Sequence, residues 1–377
     1  MSDEQARAAR QRRRELVPQL RAYGAIDRVF WPIVTATAAP GFSSGVVSTD
    51  SRGHRLTRLG EAVTKSDDAP DGAAFLLGGS YAFGVGASDD AGTLAAALWR
   101  RTGVPYVNLG IRAATSAQEL VSALPFVERT TTFVVCSGLN NFATAPGAPG
   151  LDPLFGPMHH QRQLGALASV SIDELSRLVA DPLGQFGEQK LGEELKRRRR
   201  KRMRRRFRPV FRLEKRVRGR FSGSPEAEDE DTEVEPSAAR EAAGDPAAMV
   251  VDAAARQIRD LRLLRRLVPA EAKVVFALQP VVLHTDKELS SEEQELFDIL
   301  DLLQPGRWPQ LKSLLDTHWP AYTAAIEEGC RGLGVPFADL SRGDYHGWCF
   351  VDRVHMTDHG HDSAAAMLVE VIADGTR

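Results

Sequence analysis

The sequence predicts an α/β fold: a parallel sheet of about five strands, doubly wound by helices into three layers. Three observations carry that expectation. From Ala73 onward, short apolar runs alternate with amphipathic helical stretches, the pattern of a parallel sheet covered on both faces. The first two helical stretches open on candidate capping residues, and the first stops at Gly103, the punctuation of a crossover. The chain has 377 residues, 43% of them hydrophobic, enough for one large core with an appendage or for two small domains.

In chain order, residues 1–24 are highly charged and read as an exposed helix. Residues 25–66 mix short apolar runs with Pro40, Gly41, Gly45 and Gly53, which predicts strands and turns packing on the core. AAFLLGG (73–79) is the first core strand. Asp89 or Asp90 would cap a helix through LAAALWRR that Gly103 stops. VPYVNLG (104–110) is the second strand, and Ser116 with Glu119 has capping-box spacing for a helix over AQELVSALPFVER. TTFVVCSG (131–138) is the third strand. Apolar positions at Val251, Ala254, Ile258, Leu261 and Leu264 have helical spacing and lead to KVVFALQP (273–280), the fourth. Helices over Ser291–Leu303 and about 310–331 precede VPFADLS (335–341), the fifth strand, and a helix over about 358–372 closes the chain. Such a flavodoxin-like arrangement places its site at the carboxyl ends of the strands.

These elements divide into an N-terminal helix (1–24), a strand and turn segment (25–66), two core pieces (67–143 and 247–377) and an insertion (144–246). The insertion carries KRRRRKRMRRR (196–206), an arginine-rich stretch interleaved with Phe207, Phe211 and Phe221, and the acidic tract EAEDEDTEVE (226–235). Charge blocks of this kind cannot pack a core, so most of 190–240 is expected to be exposed and disordered. Three roles compete for the basic segment that runs from Lys196 to Phe221. The first is a self-neutralising linker. The second is a patch for an anionic membrane surface, where each basic residue adds about 1 kcal/mol. Nucleic-acid binding ranks last, because no recognition fold accompanies the charge.

The formal net charge of −2 hides this uneven distribution. Cys136, Cys330 and Cys349 form no CxxC pair or disulfide framework, which suits a reducing compartment. The N-terminus lacks the apolar core of a secretory signal, and no apolar run approaches a membrane span. A soluble cytoplasmic protein is the expectation; oligomeric state has no sequence signature here.

Ser80 stands where the first core strand ends, in GGSYAFGVGASDD. A serine hydroxyl is a poor nucleophile unless a sharp turn exposes it beside a base and oxyanion donors. Read alone, the segment is equally a glycine-rich turn; as a phosphate loop it lacks the Walker lysine. Near the other end, FVDRVHMTDHGHD places Asp352 three residues before His355 on a loop. That spacing lets a carboxylate hold the imidazole by Nδ1 while Nε2 faces a serine. A surface pair, or a metal site from His355, His359 and His361, are the alternatives, the latter spoiled by Gly360 and by the lack of a partner motif. NLGIRAATSAQEL follows the second strand and SGLNNF the third, so all four segments should meet at one edge of the sheet. A loop amide of the former and the Asn140 side chain could donate to an oxyanion.

On these residues the chain resembles the SGNH (GDSL-type) hydrolase superfamily, in the subgroup whose first block reads GGS. GGSYAFGVGAS is similar to the first block and NLGIRAATS to the second. GLNNF resembles the third block, and DRVHMTDHGH the fifth. STDSRGHR (48–55), FALQP with its Ser-Glu-Glu helix, and FADLS also resemble that subgroup. The resemblance spans about 25–143 and 247–373. It implies Ser80 as nucleophile, His355 as base and Asp352 as its partner. It implies an oxyanion hole from Ser80, Ala113 and Asn140, with no metal or organic cofactor. Three positions depart from the pattern: Gly79 stands where Asp is commoner, Asn141 replaces an Asp, and Ala113 replaces a glycine. The Ala113 N–H is retained provided that its backbone avoids positive φ.

The expected function is a serine-dependent esterase or deacetylase acting through an acyl-enzyme on a small-molecule or glycan ester. An acyltransferase would use the same residues, and a degenerate domain carrying the polybasic arm as an adaptor is the non-enzymatic alternative.

Overall fold

The computed structural model describes residues 2–29, 37–144 and 245–374. Five strands form the central sheet: β5 (Ala74–Gly78), β6 (Tyr106–Asn108), β7 (Thr132–Ser137), β8 (Lys273–Leu278) and β9 (Phe337–Asp339). Their order is β6-β5-β7-β8-β9, with every pair parallel. The chain therefore reverses its direction of travel between β5 and β7, where a doubly wound sheet opens a crevice at its carboxyl edge.

Alternation along the strands sorts the side chains into two apolar layers. Phe75, Leu77, Phe133, Val135, Val274 and Phe276 face the layer built by α5 (Ser116–Ala123), α7 (Pro246–Leu267) and α9 (Arg307–Leu333). Ala74, Leu76, Val134, Cys136, Val275 and Ala277 face α4 (Leu94–Thr102) and α10 (Asp358–Asp374). Burying each large side chain contributes about 1.5–3 kcal/mol, so both layers are needed to hold so short a sheet. The three layers are those the sequence predicts.

Upstream, the expected single helix is two, α1 (Asp3–Leu16) and α2 (Leu20–Ala25). Pro18 disfavours helical geometry at Val17, and the chain turns there. Nor is α1 simply exposed: Ala6, Ala9 and Arg13 are buried where it lies along α8 (Ser291–Leu303), and Arg12 pairs with Glu295. The next segment forms two short hairpins, β1 (Arg28–Val29) with β2 (Thr37–Ala38) and β3 (Thr57–Leu59) with β4 (Ala62–Thr64). Thr64 Oγ1 donates to Tyr106 O at 2.5 Å and ties the second hairpin to the sheet.

Two helix caps differ from expectation. Thr93, not Asp89 or Asp90, caps α4. Asp90 is already taken by Arg55 and the Ser48 N–H, and Asp89 closes its own turn onto Ala91 and Gly92. In α5 the capping box is Thr115 with Gln118, which leaves Ser116 inside the helix and turns Glu119 into the core. That helix ends at Ala123 rather than near Arg129, because Pro125 has no N–H to extend it. The helix before β9 is longer than expected and accommodates Pro320.

Apart from Thr144, Asp245 and Pro246, the expected insertion, with its 196–221 basic segment and 226–235 acidic tract, lies outside the described residues. No described helix is long and apolar enough to cross a membrane. All three cysteines are buried free thiols.

Candidate active site

The turn after β5 is built by two glycines with different duties. Gly78 has φ +149, and a Cβ there would lie 2.0 Å from Cys136 O, so only glycine lets the strand leave the sheet at this angle. Gly79 is approached by Asn140: a Cβ would stand 2.5 Å from Asn140 Nδ2. A side chain at this position would make the Asn140 amide shift. Ser80 then opens the one-turn helix α3 (Ser80–Phe83), which Gly84 ends.

His355 Nε2 lies 2.8 Å from Ser80 Oγ, across 275 residues of chain. Its Nδ1 lies 2.7 Å from Asp352 Oδ2, while Asp352 Oδ1 accepts the Val354 and His355 N–H groups at 2.8 Å each. Burial opposes ionisation of Asp352. The charge of His355, the bond to its ring and the two backbone donors outweigh that effect and hold the carboxyl well below the usual carboxylate range. An ionised Asp352 accepts, so Nδ1 carries a proton and, in the neutral ring, Nε2 presents its lone pair to the serine hydroxyl.

The two remaining segments close on the same spot. Asn140 opens toward Gly79 from α6 (Leu139–Thr144), and its Nδ2 donates to Ala114 O at 2.7 Å. Ala113 has φ +67, the one left-handed non-glycine among the described residues. The condition set for its N–H, a backbone that avoids positive φ, is therefore not met, yet the N–H is present and unbonded among the described residues in this left-handed conformation. A left-handed backbone costs an alanine about 1–2 kcal/mol of strain. Replacing Ala113 by Gly is expected to raise unfolding stability by about 1 kcal/mol in urea titrations; an unchanged or lower value would remove the strain argument. No hydrogen bond within the described residues occupies the N–H of Ser80 or of Ala113.

No protein-family model matches the chain, and neither does any curated protein. Among solved structures it is similar to phospholipase A1 from Streptomyces albidoflavus NA297, with 12% identity, coverage of 81% of this chain and 100% of that chain, and a TM-score of 0.37. It is similar to an extracellular lipase from Streptomyces rimosus, with 12% identity, 81% and 99% coverage and a TM-score of 0.38. A carbohydrate acetylesterase family member from Sinorhizobium meliloti has 10% identity, 81% and 98% coverage and a TM-score of 0.34.

Several groups whose partners the sequence does not reveal hold the segments in place, Glu293 and Asn108 among them buried. Glu293, fully buried, accepts the Cys349 and Phe350 N–H groups with Oε1 and meets Lys287 Nζ at 2.6 Å with Oε2. It thereby grips the loop leading to Asp352 from below. Asp358 accepts Ser88 N and Oγ at 2.7 and 2.5 Å, joining the first and last segments. Arg353, which follows Asp352 in the chain, lies over Trp308 and Phe297 at 4.2 and 4.9 Å and pairs with Asp301. Asn108 holds Ala82 O with Nδ2 and Gly110 N with Oδ1, fastening the second segment to α3. Glu293 has a visible signal in its capping-box spacing from Ser290, and Asp358 in its place at the start of a helix.

The three histidines considered as a metal group do not converge. His355 engages Ser80, exposed His359 reaches His346 O, and His361 is buried against the Tyr81 ring. Burial is the main cause that lowers the His361 imidazole to about 3, with Arg55 and His355 adding to it.

Glu119 is a buried acid behind the third segment. Ser137 Oγ donates to its Oε1 at 2.7 Å, and Oε2 has no partner among the described residues. Burial raises its carboxyl to about 8, opposed by the Ser137 bond and reinforced by Asp260. The folded chain keeps this proton between pH 4.5 and about 8 while the unfolded chain loses it, so stability falls as pH rises through that window. Glu119→Gln removes the titration. The variant is expected to match the parent near pH 4.5 and to exceed it by roughly 3–5 kcal/mol above pH 8. Urea unfolding at both pH values checks this, and a pH-independent difference would refute it.

Proposed function

We propose that the protein is a serine-dependent ester hydrolase of the SGNH type, with Ser80 as nucleophile, His355 as general base and Asp352 as the carboxylate that orients it. The observation that carries this reading is the continuous contact from Asp352 through His355 to Ser80, with proton direction set by an ionised Asp352.

His355 Nε2 takes the Ser80 proton as Oγ attacks the ester carbonyl carbon. The carbonyl oxygen becomes an oxyanion, received by the N–H groups of Ser80 and Ala113 and by the Asn140 amide. When the intermediate collapses, the C–O bond to the alcohol breaks and the proton on His355 passes to the leaving oxygen. A water then gives its proton to His355 and attacks the acyl-enzyme; collapse of that second intermediate releases the acid and returns the proton to Ser80. The position of the Asn140 amide against Gly79, next to Ser80, supports the reading. The substrate class is a small-molecule or glycan acyl ester, as the sequence resemblance implies.

A fluorophosphonate probe is expected to label the chain at Ser80, as located by mass spectrometry. Ser80→Ala should abolish the adduct and lower hydrolysis of a short p-nitrophenyl ester by about 10,000-fold or more, to background. An adduct at another residue, or a Ser80→Ala chain that still hydrolyses, would end this assignment.

A further inference from the structure

We infer that Asp260 is a positioning residue for the oxyanion donors, acting through a one-directional chain of hydrogen bonds over Ser116 and Asn141; the inference rests on the roles proposed for Ala113 and Asn140. The direction follows from elementary chemistry. The Ser116 backbone N–H can only donate, and it points at Asn141 Oδ1 at 2.9 Å. The amide is thereby oriented, and Asn141 Nδ2 must donate to Ser116 Oγ, which it meets at 2.8 Å. With its oxygen accepting, the Ser116 hydroxyl sends its own proton onward to Asp260 Oδ2 at 2.6 Å. Arg259 Nε holds the other carboxylate oxygen at 2.9 Å. Ser116, Asn141 and Asp260 are all buried, so water does not replace a lost link cheaply.

The chain joins the two segments that carry the donors. Asn141 follows Asn140 directly, and Ser116 lies three residues after Ala113, whose strained loop is bonded to Asn140 through Ala114 O. Asp260 comes from α7, 144 residues beyond Ser116, and fixes both segments against the helix layer. It occupies a helical stripe with buried Ala253, Gln257 and Leu264, where an apolar residue would otherwise pack.

The polarity of this chain makes a reciprocal exchange the decisive experiment. Asn141→Asp alone sets a carboxylate against a Ser116 oxygen whose proton is committed to Asp260. Asp260→Asn alone has one acceptor oxygen for two donors, so it cannot accept from both Ser116 Oγ and Arg259 Nε. Together they reverse both side-chain links: the amide introduced at position 260 donates to Ser116 Oγ, and the Ser116 hydroxyl donates to the carboxylate introduced at position 141. Each single variant is expected to lower kcat on a short p-nitrophenyl ester by about 10- to 100-fold at nearly unchanged KM, since small misplacement of catalytic groups costs that much. The double variant should recover kcat to within about threefold of the parent, with melting temperature regained in parallel. Losses that simply multiply in the double variant overturn the inference, as do single variants with parental kcat. If the single variants do not fold, Ser116→Ala carries the test. It should lose kcat about 10-fold, and Asp260→Asn added to it should cost nothing more; a further loss of kcat overturns the coupling. A parent chain inactive on esters overturns the reading of Ser80 instead. The regain of melting temperature still tests the chain of bonds in that case, and its absence refutes it.

Discussion

Asp352→Asn is expected to reduce kcat by about 10,000-fold while the protein stays folded. The reason lies in the two faces of this carboxylate. Oδ1 accepts the N–H groups of Val354 and His355, so an asparagine must turn its own oxygen to that side. Its NH2 then faces His355 Nδ1, where Oδ2 stood at 2.7 Å. A donor there forces the ring to carry its proton on Nε2, which would donate to Ser80 Oγ rather than accept from it. The base is lost without any atom moving far. A steady-state measurement with a short acyl ester, paired with a circular-dichroism melt, checks the prediction. A loss smaller than about 100-fold in a folded variant would show that Asp352 does not set the tautomer.

Arg55→Met is expected to lower unfolding stability by about 3–5 kcal/mol, the cost of removing one partner from a buried ion pair. The Arg55 side chain is fully buried, with Nε on Asp90 Oδ1 at 2.9 Å. Nη1 reaches Tyr23 OH and the carbonyls of Phe83 and Gly84, and Nη2 those of Val46 and Asp89. The methionine fills much of the volume but leaves Asp90 and a ring of carbonyls facing an apolar chain. Because Val85 N and Gly84 N both bond to Ser80 O, the damage reaches the turn that carries the serine. Urea unfolding provides the measure, and a loss below about 1 kcal/mol would mean that the 48–55 turn does not brace α3. Arg55→Lys is no rescue, because one ammonium cannot span carbonyls on opposite sides of a planar fork.

The strands were legible because each is a short apolar run bounded by turn residues, and because parallel strands buried on both faces need no alternation to be recognised. The caps of α4 and α5 differ from the expected ones for two reasons. Asp90 and Ser116 have the chemistry of capping residues, yet each is consumed by a partner far along the chain, Arg55 in one case and Asp260 in the other, a competition that local spacing cannot register. Asp89 is taken locally, by its own turn onto Ala91 and Gly92.

The sequence by itself determined the doubly wound core, the succession of its five strands along the chain and the four loop segments at the strand ends. These follow from periodicity and from the small set of residues that can end a strand. Tertiary structure alone decided that Ser80 and His355 come within 2.8 Å, that Ala113 takes a left-handed backbone, and that Asn140 occupies the space a side chain at residue 79 would fill. Those outcomes depend on distances between segments up to 275 residues apart. Such distances are set by how the layers pack on the sheet, and no local pattern of residues encodes them.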